Sequence, residues 1–172
     1  MPPQSHNPLW QYICEAYARG NTAQHCLSLQ NRYGLDVNLL LSCGWIALHL
    51  GRIEQWPELL SATQPWQSRL KELRSIRNHL NKHDPQQGRL RAQVLALELE
   101  GEHREVEVIW ETLRHCQVLS SKPPPHLPEE PGAADVFDDY LHVADTCLLK
   151  EDPDLRALAS LMGTPKTCHL PN

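Results

Sequence analysis

The chain has 172 residues, of which 41% are hydrophobic and 22% charged, and its formal net charge at pH 7 is -5. This length and composition are typical of about one soluble domain that buries a real core. The mild negative charge argues against a protein that coats nucleic acid, but it leaves room for a local basic patch. The first ten residues hold neither a basic nor an apolar run, so we predict no secretory signal and a cytoplasmic protein.

The first two predicted helices have clear ends. Asn7 is a good N-cap, and Pro8 suits the first helical position because the missing amide costs nothing there. A second helix is predicted from about Thr22 to Tyr33, and Gly34 supplies the left-handed residue that ends it.

The stretch from Asp36 to Gly51 is apolar on nearly every side and predicts a buried central helix. Asp36 is its N-cap, and Gly51 follows its last turn. Asn38 is one of few polar side chains inside it. At about 24 Å by helix rise, the segment is too short and too polar for a membrane span. We therefore expect the rest of the chain to surround it.

A long helical hairpin is predicted over 65–119. A short and weaker helix at 53–62 precedes it, and Pro65 starts a first arm that ends near Lys82. Asp84-Pro85 begins the second arm, which runs to Leu119, and a tight turn implies antiparallel packing. Steps of three and four predict the inward seam of this arm, namely Ala92, Leu95, Leu99, Glu102, Val106, Ile109, Leu113 and Cys116.

The remainder is predicted to be a separate tail. Residues 120–134 include Lys-Pro-Pro-Pro-His-Leu-Pro and form a proline-rich linker. Amphipathic helices are predicted at 135–149 and 154–162, in an acidic and loosely attached segment spanning 135–172. The helical domain proper then covers 7–119. Together these elements predict an all-α protein that forms a single helical bundle.

Seven basic residues against two acidic ones mark the stretch 69–91. Arg74 and Arg77 share a helix face and could grip a phosphate, a carboxylate of a partner protein or an acid of this chain. The alternative is a solvated face with internal ion pairs. The candidate binding residues in this stretch are Arg69, Lys71, Arg74, Arg77, Lys82, Arg89 and Arg91.

Asp36 and Asn38 are polar residues at the start of the otherwise apolar central helix. Buried polar groups need partners, because an unpaired one costs about 1–3 kcal/mol. We expect Arg74 or Arg77 to supply them. The alternative is a small polar pocket around Asp36, Asn38, Trp66 and Arg74.

Motifs for catalysis or cofactor binding are absent from the sequence. It holds no G-x-S-x-G, no H-E-x-x-H, no phosphate-binding glycine loop and no dinucleotide fingerprint. His79 and His83 are four apart but lack a third ligand, so no metal and no cofactor are predicted. Six scattered cysteines without C-x-x-C spacing favour reduced thiols over a disulfide framework or a zinc site.

Five segments form a recognisable pattern, namely Asn-Pro-Leu-Trp at 7–10, Cys-Leu-Ser-Leu-Gln at 26–30, Tyr-Gly-Leu-Asp-Val-Asn-Leu-Leu-Leu at 33–41, Pro-Trp at 65–66 and Leu-Arg-Ser-Ile-Arg at 73–77. Together they resemble a family of small proteobacterial proteins of unknown function. The resemblance covers about the first 115 residues and implies an all-helical core, a bacterial cytoplasmic origin and a variable C-terminal part. It implies no activity, cofactor or catalytic residue.

From these observations we predict a non-enzymatic protein-interaction or regulatory module whose partner is another protein. The first alternative is a nucleic-acid or ribosome-associated protein that uses the basic hairpin face, with binding that weakens steeply with salt. The second is a small-molecule binder or enzyme with a polar pocket near Asp36 and Arg74.

Overall fold

The computed structural model describes residues 7–119, 132–145 and 151–162. These residues form seven helices, which confirms the all-α fold. The helices are α1 (Pro8–Tyr17), α2 (Thr22–Tyr33), α3 (Val37–His49), α4 (Trp56–His79), α5 (Pro85–Leu119), α6 (Ala133–Val143) and α7 (Pro153–Met162). None of the helices in this part of the chain is both long and apolar enough to cross a membrane.

Local capping chemistry sets the helix ends as predicted. The Asn7 side chain accepts from the amide of Leu9 at 3.0 Å and begins α1. The Asp36 carboxylate accepts from the amide of Leu39 at 2.9 Å and begins α3. Gly34 ends α2 with a φ of 70°, a left-handed conformation that costs glycine little.

The central helix α3 is buried as predicted. Nine consecutive residues from Asn38 to Ile46 are buried. Gly44 lies among them, at the point where the Tyr12 hydroxyl and Met162 approach the backbone of α3. The absence of a side chain at this position is therefore a packing requirement of the core.

The chain divides into two compact units. The discontinuous unit comprises Gln11–Trp56 and Lys122–Asn172, so it takes in most of α1 together with α2, α3, α6 and α7. Within it α6 packs on α3, and α7 packs on α2 and α6. Val136, Phe137 and Leu141 of α6 are almost completely buried. The Arg19 guanidinium also donates to the carbonyl oxygen of Leu161 at 3.0 Å.

The helices predicted for the tail therefore pack on the N-terminal helices, whereas a loose attachment was expected. The amphipathic patterns of α6 and α7 were correct, but such a pattern does not tell what covers the apolar face. The predicted linker lies outside the described residues over 120–131, as do the last ten residues. The domain boundaries at 119 and 134 stay a prediction.

The hairpin unit comprises Met1–Trp10 and Pro57–Ser121, and it contains α5 and all of α4 except its first residue, Trp56. Its second arm begins at Pro85 as predicted, where the Asp84 carboxylate accepts from the amide of Gln87 at 2.8 Å. The predicted break at Pro65 was wrong, because one helix runs through it from Trp56 to His79. Trp56 and Leu59 before the proline and Leu70 after it are buried, and this burial offsets the lost amide.

The predicted inward seam of α5 was right in one half and wrong in the other. Val106, Ile109, Leu113 and Cys116 are buried as predicted. Nearer the turn, Leu95 and Leu99 are exposed, and the buried positions are Val94, Glu98, Gly101 and Glu105. The reason is α4, which presents arginines opposite Glu98 and the side chain of Leu70 opposite Gly101.

Candidate functional site

Glu98 is the centre of an ion-pair cluster between the two arms of the hairpin. It is only 4% exposed. Arg74 donates to it through Nε at 3.2 Å, and Arg77 donates through Nε at 2.6 Å. A second nitrogen of Arg74 reaches Glu102 at 2.9 Å. The two arginines predicted to share a face are therefore engaged by glutamates of α5.

The other predicted basic residues have different surroundings. The Arg69 guanidinium lies over the ring of Trp66, with Cζ 5.0 Å from the ring centroid. Arg91 is partly buried and donates to the carbonyl oxygen of Arg77. Lys82 and Arg89 are exposed near the turn, as is Lys71 on α4. The basic residues of this stretch therefore make separate contacts, and glutamates neutralise the charges of Arg74 and Arg77. The stretch does not form one uniform cationic face.

Asp36 and Asn38 belong to the discontinuous unit, whereas Trp66 and Arg74 belong to the hairpin unit. Asp36 caps α3, and Asn38 is buried at the start of that helix. The backbone carbonyl of Asn38 accepts from the Ser42 hydroxyl at 2.7 Å. A pocket that joins these four residues, or a pairing of Asp36 with either arginine, stays a prediction.

An apolar groove of about 390 Å³ runs between the two arms of the hairpin. Trp66, Leu70 and Leu73 line one side, and Leu97 and Gly101 line the other. Arg69, Glu100 and Arg104 also line it and give it a charged border. A methyl group at Gly101 would lie 2.9 Å from Leu70, so this glycine allows α4 to come close. The groove is apolar inside and charged at its border.

Large apolar side chains remain exposed along the half of the hairpin that is nearer the turn. Leu97 is 56% exposed and Leu99 is 54% exposed, on opposite sides of α5. The same stretch exposes Ile76, Leu90 and Leu95. Sequence reasoning missed this surface because it assigned Leu95 and Leu99 to the inward seam. The pairing of Arg74 and Arg77 with glutamates at positions 98 and 102 was the pattern that could have revealed the true seam.

A second polar cluster fastens α7 to α2 in the discontinuous unit. Asp154 accepts from the Ser28 hydroxyl at 2.7 Å, and its other oxygen lies 2.8 Å from Nδ1 of His25. Asp152 is buried and accepts from Arg32 and from the Tyr33 hydroxyl, each at 2.8 Å. Ser28 and His25 bond the same carboxylate, so the hydroxyl is not activated by the imidazole as it would be in a catalytic triad.

These hydrogen bonds stabilise the ionised carboxylates. Contacts with His25 and Ser28 lower the pKa of Asp154. Burial on its own raises the pKa of Asp152, but the hydrogen bonds from Arg32 and Tyr33 outweigh it and leave the pKa below its usual value. A carboxylate whose pKa is lower in the folded chain contributes stability above its unfolded pKa and loses it as the pH falls through the folded value.

We therefore expect acid to loosen α7 below about pH 4, near the unfolded pKa of aspartate. The methyl resonances of Leu155 and Leu158, both buried in α7, follow its packing. Asp152→Asn should weaken the packing already at neutral pH and flatten its acid dependence. Asp145→Asn, at an exposed acid beyond α6, is the matched control and should behave as the unmodified chain. Methyl resonances that stay unchanged well into acid would contradict the expectation.

The described cysteines have raised thiol pKa values. Burial raises the pKa of Cys26 to about 12, and it also raises the pKa of Cys14, Cys43 and Cys116. Thiolate, the nucleophilic form, is thereby disfavoured at neutral pH. No group of three or more metal-ligating side chains occurs in the ranges that the structure describes.

The described residues define an all-α protein that contains a long helical hairpin. A family model described as "Protein of unknown function (DUF2390)" matches residues 8–109, which is more than half of the chain, and the chain belongs to this family. The resemblance found in the sequence is confirmed over these residues, while the bacterial origin stays a prediction. No curated protein and no solved structure matches the chain.

Proposed function

We propose that this protein is a non-enzymatic interaction protein that binds a protein partner through the hairpin of α4 and α5. The observation that carries the proposal is the groove lined by Trp66, Leu73 and Leu97, with its charged border. Large apolar side chains that are exposed in the isolated protein are common on surfaces that bind a partner. The two arms of the hairpin are joined by buried ion pairs, so the groove has a defined shape before binding.

The distribution of charge supports a protein partner over a nucleic acid. A nucleic-acid site needs cations that are available to phosphates. Here Arg74 and Arg77 are bonded to Glu98 and Glu102, and Glu100 borders the groove itself. We also propose a cytoplasmic location, which the free thiols of Cys14, Cys26, Cys43 and Cys116 support.

Photo-crosslinking tests the proposed function. A photoreactive side chain placed at Leu97 should capture a protein in cells, whether another copy of this chain or a different protein. The matched control is Leu48, which is 45% exposed on α3 in the discontinuous unit. Capture at both positions alike, or at neither, would overturn the proposed binding surface. Turnover of a metabolite by the purified chain would overturn the non-enzymatic part of the proposal.

A further inference from the structure

We infer that α2 is a binding surface for an acidic helix of another protein, and that α7 covers this surface as an intramolecular competitor. The donor row is defined as the four side chains of α2 that bond to α7, namely His25, Ser28, Arg32 and Tyr33. They belong to the discontinuous unit, whereas the groove belongs to the hairpin unit. The inference therefore goes beyond the proposed function and does not depend on it.

The donor row is arranged to bind two carboxylates at once. His25, Ser28 and Arg32 are separated by three and four residues, so they lie along one side of α2. The Arg32 guanidinium holds Asp152 with two nitrogens, at 2.8 and 3.2 Å, and it also donates to Asp154. A guanidinium fork of this kind adds geometric selectivity to the charge attraction, because both nitrogens must meet carboxylate oxygens. The row therefore recognises a pair of acidic side chains in a fixed arrangement.

The helix that already occupies this surface defines the chemistry of a competing helix. α7 begins at Pro153, and the two aspartates that the donor row binds lie on either side of this proline. Further along α7, which packs on α2 and α6, Leu155, Leu158 and Met162 are buried. A competing helix therefore starts with two acidic residues two positions apart and continues with apolar residues at the same spacing. A small dicarboxylate lacks the apolar part of this pattern.

The contacts of α7 are of a kind that a second ligand can replace. α7 has 10 residues, and a helix of this length is not stable in isolation, so its position depends on what it touches. Asp152 is buried, but the Arg32 side chain is 41% exposed and the Asp154 side chain is 22% exposed. Much of the polar contact therefore lies at the border of the interface, where water and a competing carboxylate can reach it.

The family match separates the surface from its cover. The family model matches residues 8–109, so all four members of the donor row lie inside the match. α7 lies beyond it, at Pro153–Met162. The binding surface therefore belongs to the domain that defines the family, and the helix that covers it comes from a segment outside that domain. This is the arrangement expected of a binding domain with an attached inhibitory segment.

Binding of a synthetic peptide of residues 151–162 tests the inference. The peptide is added to the full chain carrying both Asp152→Asn and Asp154→Asn, in which α7 no longer supplies the two carboxylates. It should bind this double variant at least about tenfold more tightly than the unmodified chain, because an intact α7 competes at the high effective concentration of a tethered ligand. NMR chemical shifts of the α2 amides, recorded during the titration, measure both affinities.

Matched variants distinguish recognition by the donor row from a general loosening of the unit. Arg32→Ala in the double variant should weaken peptide binding by at least about tenfold, because the fork that holds one carboxylate is lost. Arg52→Ala is the control, since Arg52 pairs with Asp139 of α6 in the same unit, and it should leave peptide binding unchanged. Circular dichroism verifies that all variants remain helical.

Two altered peptides test the stated chemistry of the ligand. A peptide with asparagine in place of both aspartates should bind the double variant at least about tenfold more weakly. A second peptide keeps the aspartates and the three buried apolar residues of α7 and has alanine at every other position. It should bind as tightly as the native peptide, because the retained side chains are those that face α2 and α6.

Three results would overturn the inference. The first is equal binding of the native peptide to the unmodified chain and to the double variant, or binding to neither at millimolar peptide. The second is an asparagine peptide that binds as well as the native one, since the carboxylates would then not select the ligand. The third is failure of the alanine-rich peptide where the native one binds, which would show that the acidic and apolar pattern does not define the ligand.

Discussion

Replacing Glu98 with alanine is expected to lower the free energy of unfolding of the hairpin unit by about 2–3 kcal/mol. The substitution leaves Arg74 and Arg77 without their common carboxylate, and removal of one partner from a buried ion pair typically costs about 3–5 kcal/mol. The two arginine side chains are 22% and 24% exposed, so solvent screening reduces that figure. Urea unfolding, with hydrogen exchange of the amides in α4 and α5, measures the effect.

The control for this prediction is Glu100→Ala. Glu100 is exposed on the same helix, so its removal should change stability by no more than about 0.5 kcal/mol. A double-mutant cycle of Glu98→Ala with Arg77→Ala should show a coupling between the two residues. If the two single substitutions are additive, or if Glu98→Ala is no worse than Glu100→Ala, the cluster does not stabilise the hairpin.

Replacing Gly44 with alanine is expected to destabilise the discontinuous unit. Glycine to alanine inside a helix ordinarily stabilises by about 0.5–1 kcal/mol. At this position the new methyl group would lie 2.8 Å from the Met162 sulfur and would also collide with the Tyr12 hydroxyl. Overpacking of this kind costs about 1–3 kcal/mol, so the sign of the ordinary effect is reversed. Urea unfolding followed by tryptophan fluorescence measures it.

Two further variants isolate the cause. Gly88→Ala, in the first turns of α5, meets nothing closer than the carbonyl oxygen of Lys82 at 3.4 Å and should be neutral or stabilising. Tyr12→Phe removes a hydroxyl that is buried and has no hydrogen-bond partner in the described part of the chain, so it should cost little. Combined with Gly44→Ala, it should recover part of the lost stability. Equal effects of alanine at positions 44 and 88 would contradict the packing argument.

The helices whose ends depend on local chemistry could be predicted from the sequence. Asn7 and Asp36 bond to amides a few residues away, and Gly34 adopts a conformation that its lack of a side chain permits. None of these features needs knowledge of the tertiary structure. Pro65 shows the limit of such local reasoning. A proline inside a helix costs about 3 kcal/mol, and this cost alone predicts a break. The burial of the residues on either side of Pro65 depends on tertiary structure and was not part of that prediction.

The candidate site could be predicted only in part. Spacing along one helix correctly placed Arg74 and Arg77 on one face. Their partner, Glu98, depends on the register between two arms, which is set by the length of the turn and by packing at Leu70 and Gly101. A hydrophobic pattern favours leucines as the inward residues, so it assigned Leu99 inward and left the groove unseen. Partner choice across a hairpin is a tertiary property that no local pattern contains.

The division of one compact unit between the two ends of the chain has a consequence for synthesis. The arms of the hairpin are contiguous in sequence, so they can meet while the ribosome is still translating. The unit around the central helix α3 cannot complete its packing until α6 and α7 have been synthesised, roughly a hundred residues later. During that interval α3, with its nine consecutive buried residues, lacks the packing that α6 provides. The nascent chain can then aggregate or be bound by chaperones. We expect a chain truncated before residue 133 to be degraded and not to accumulate.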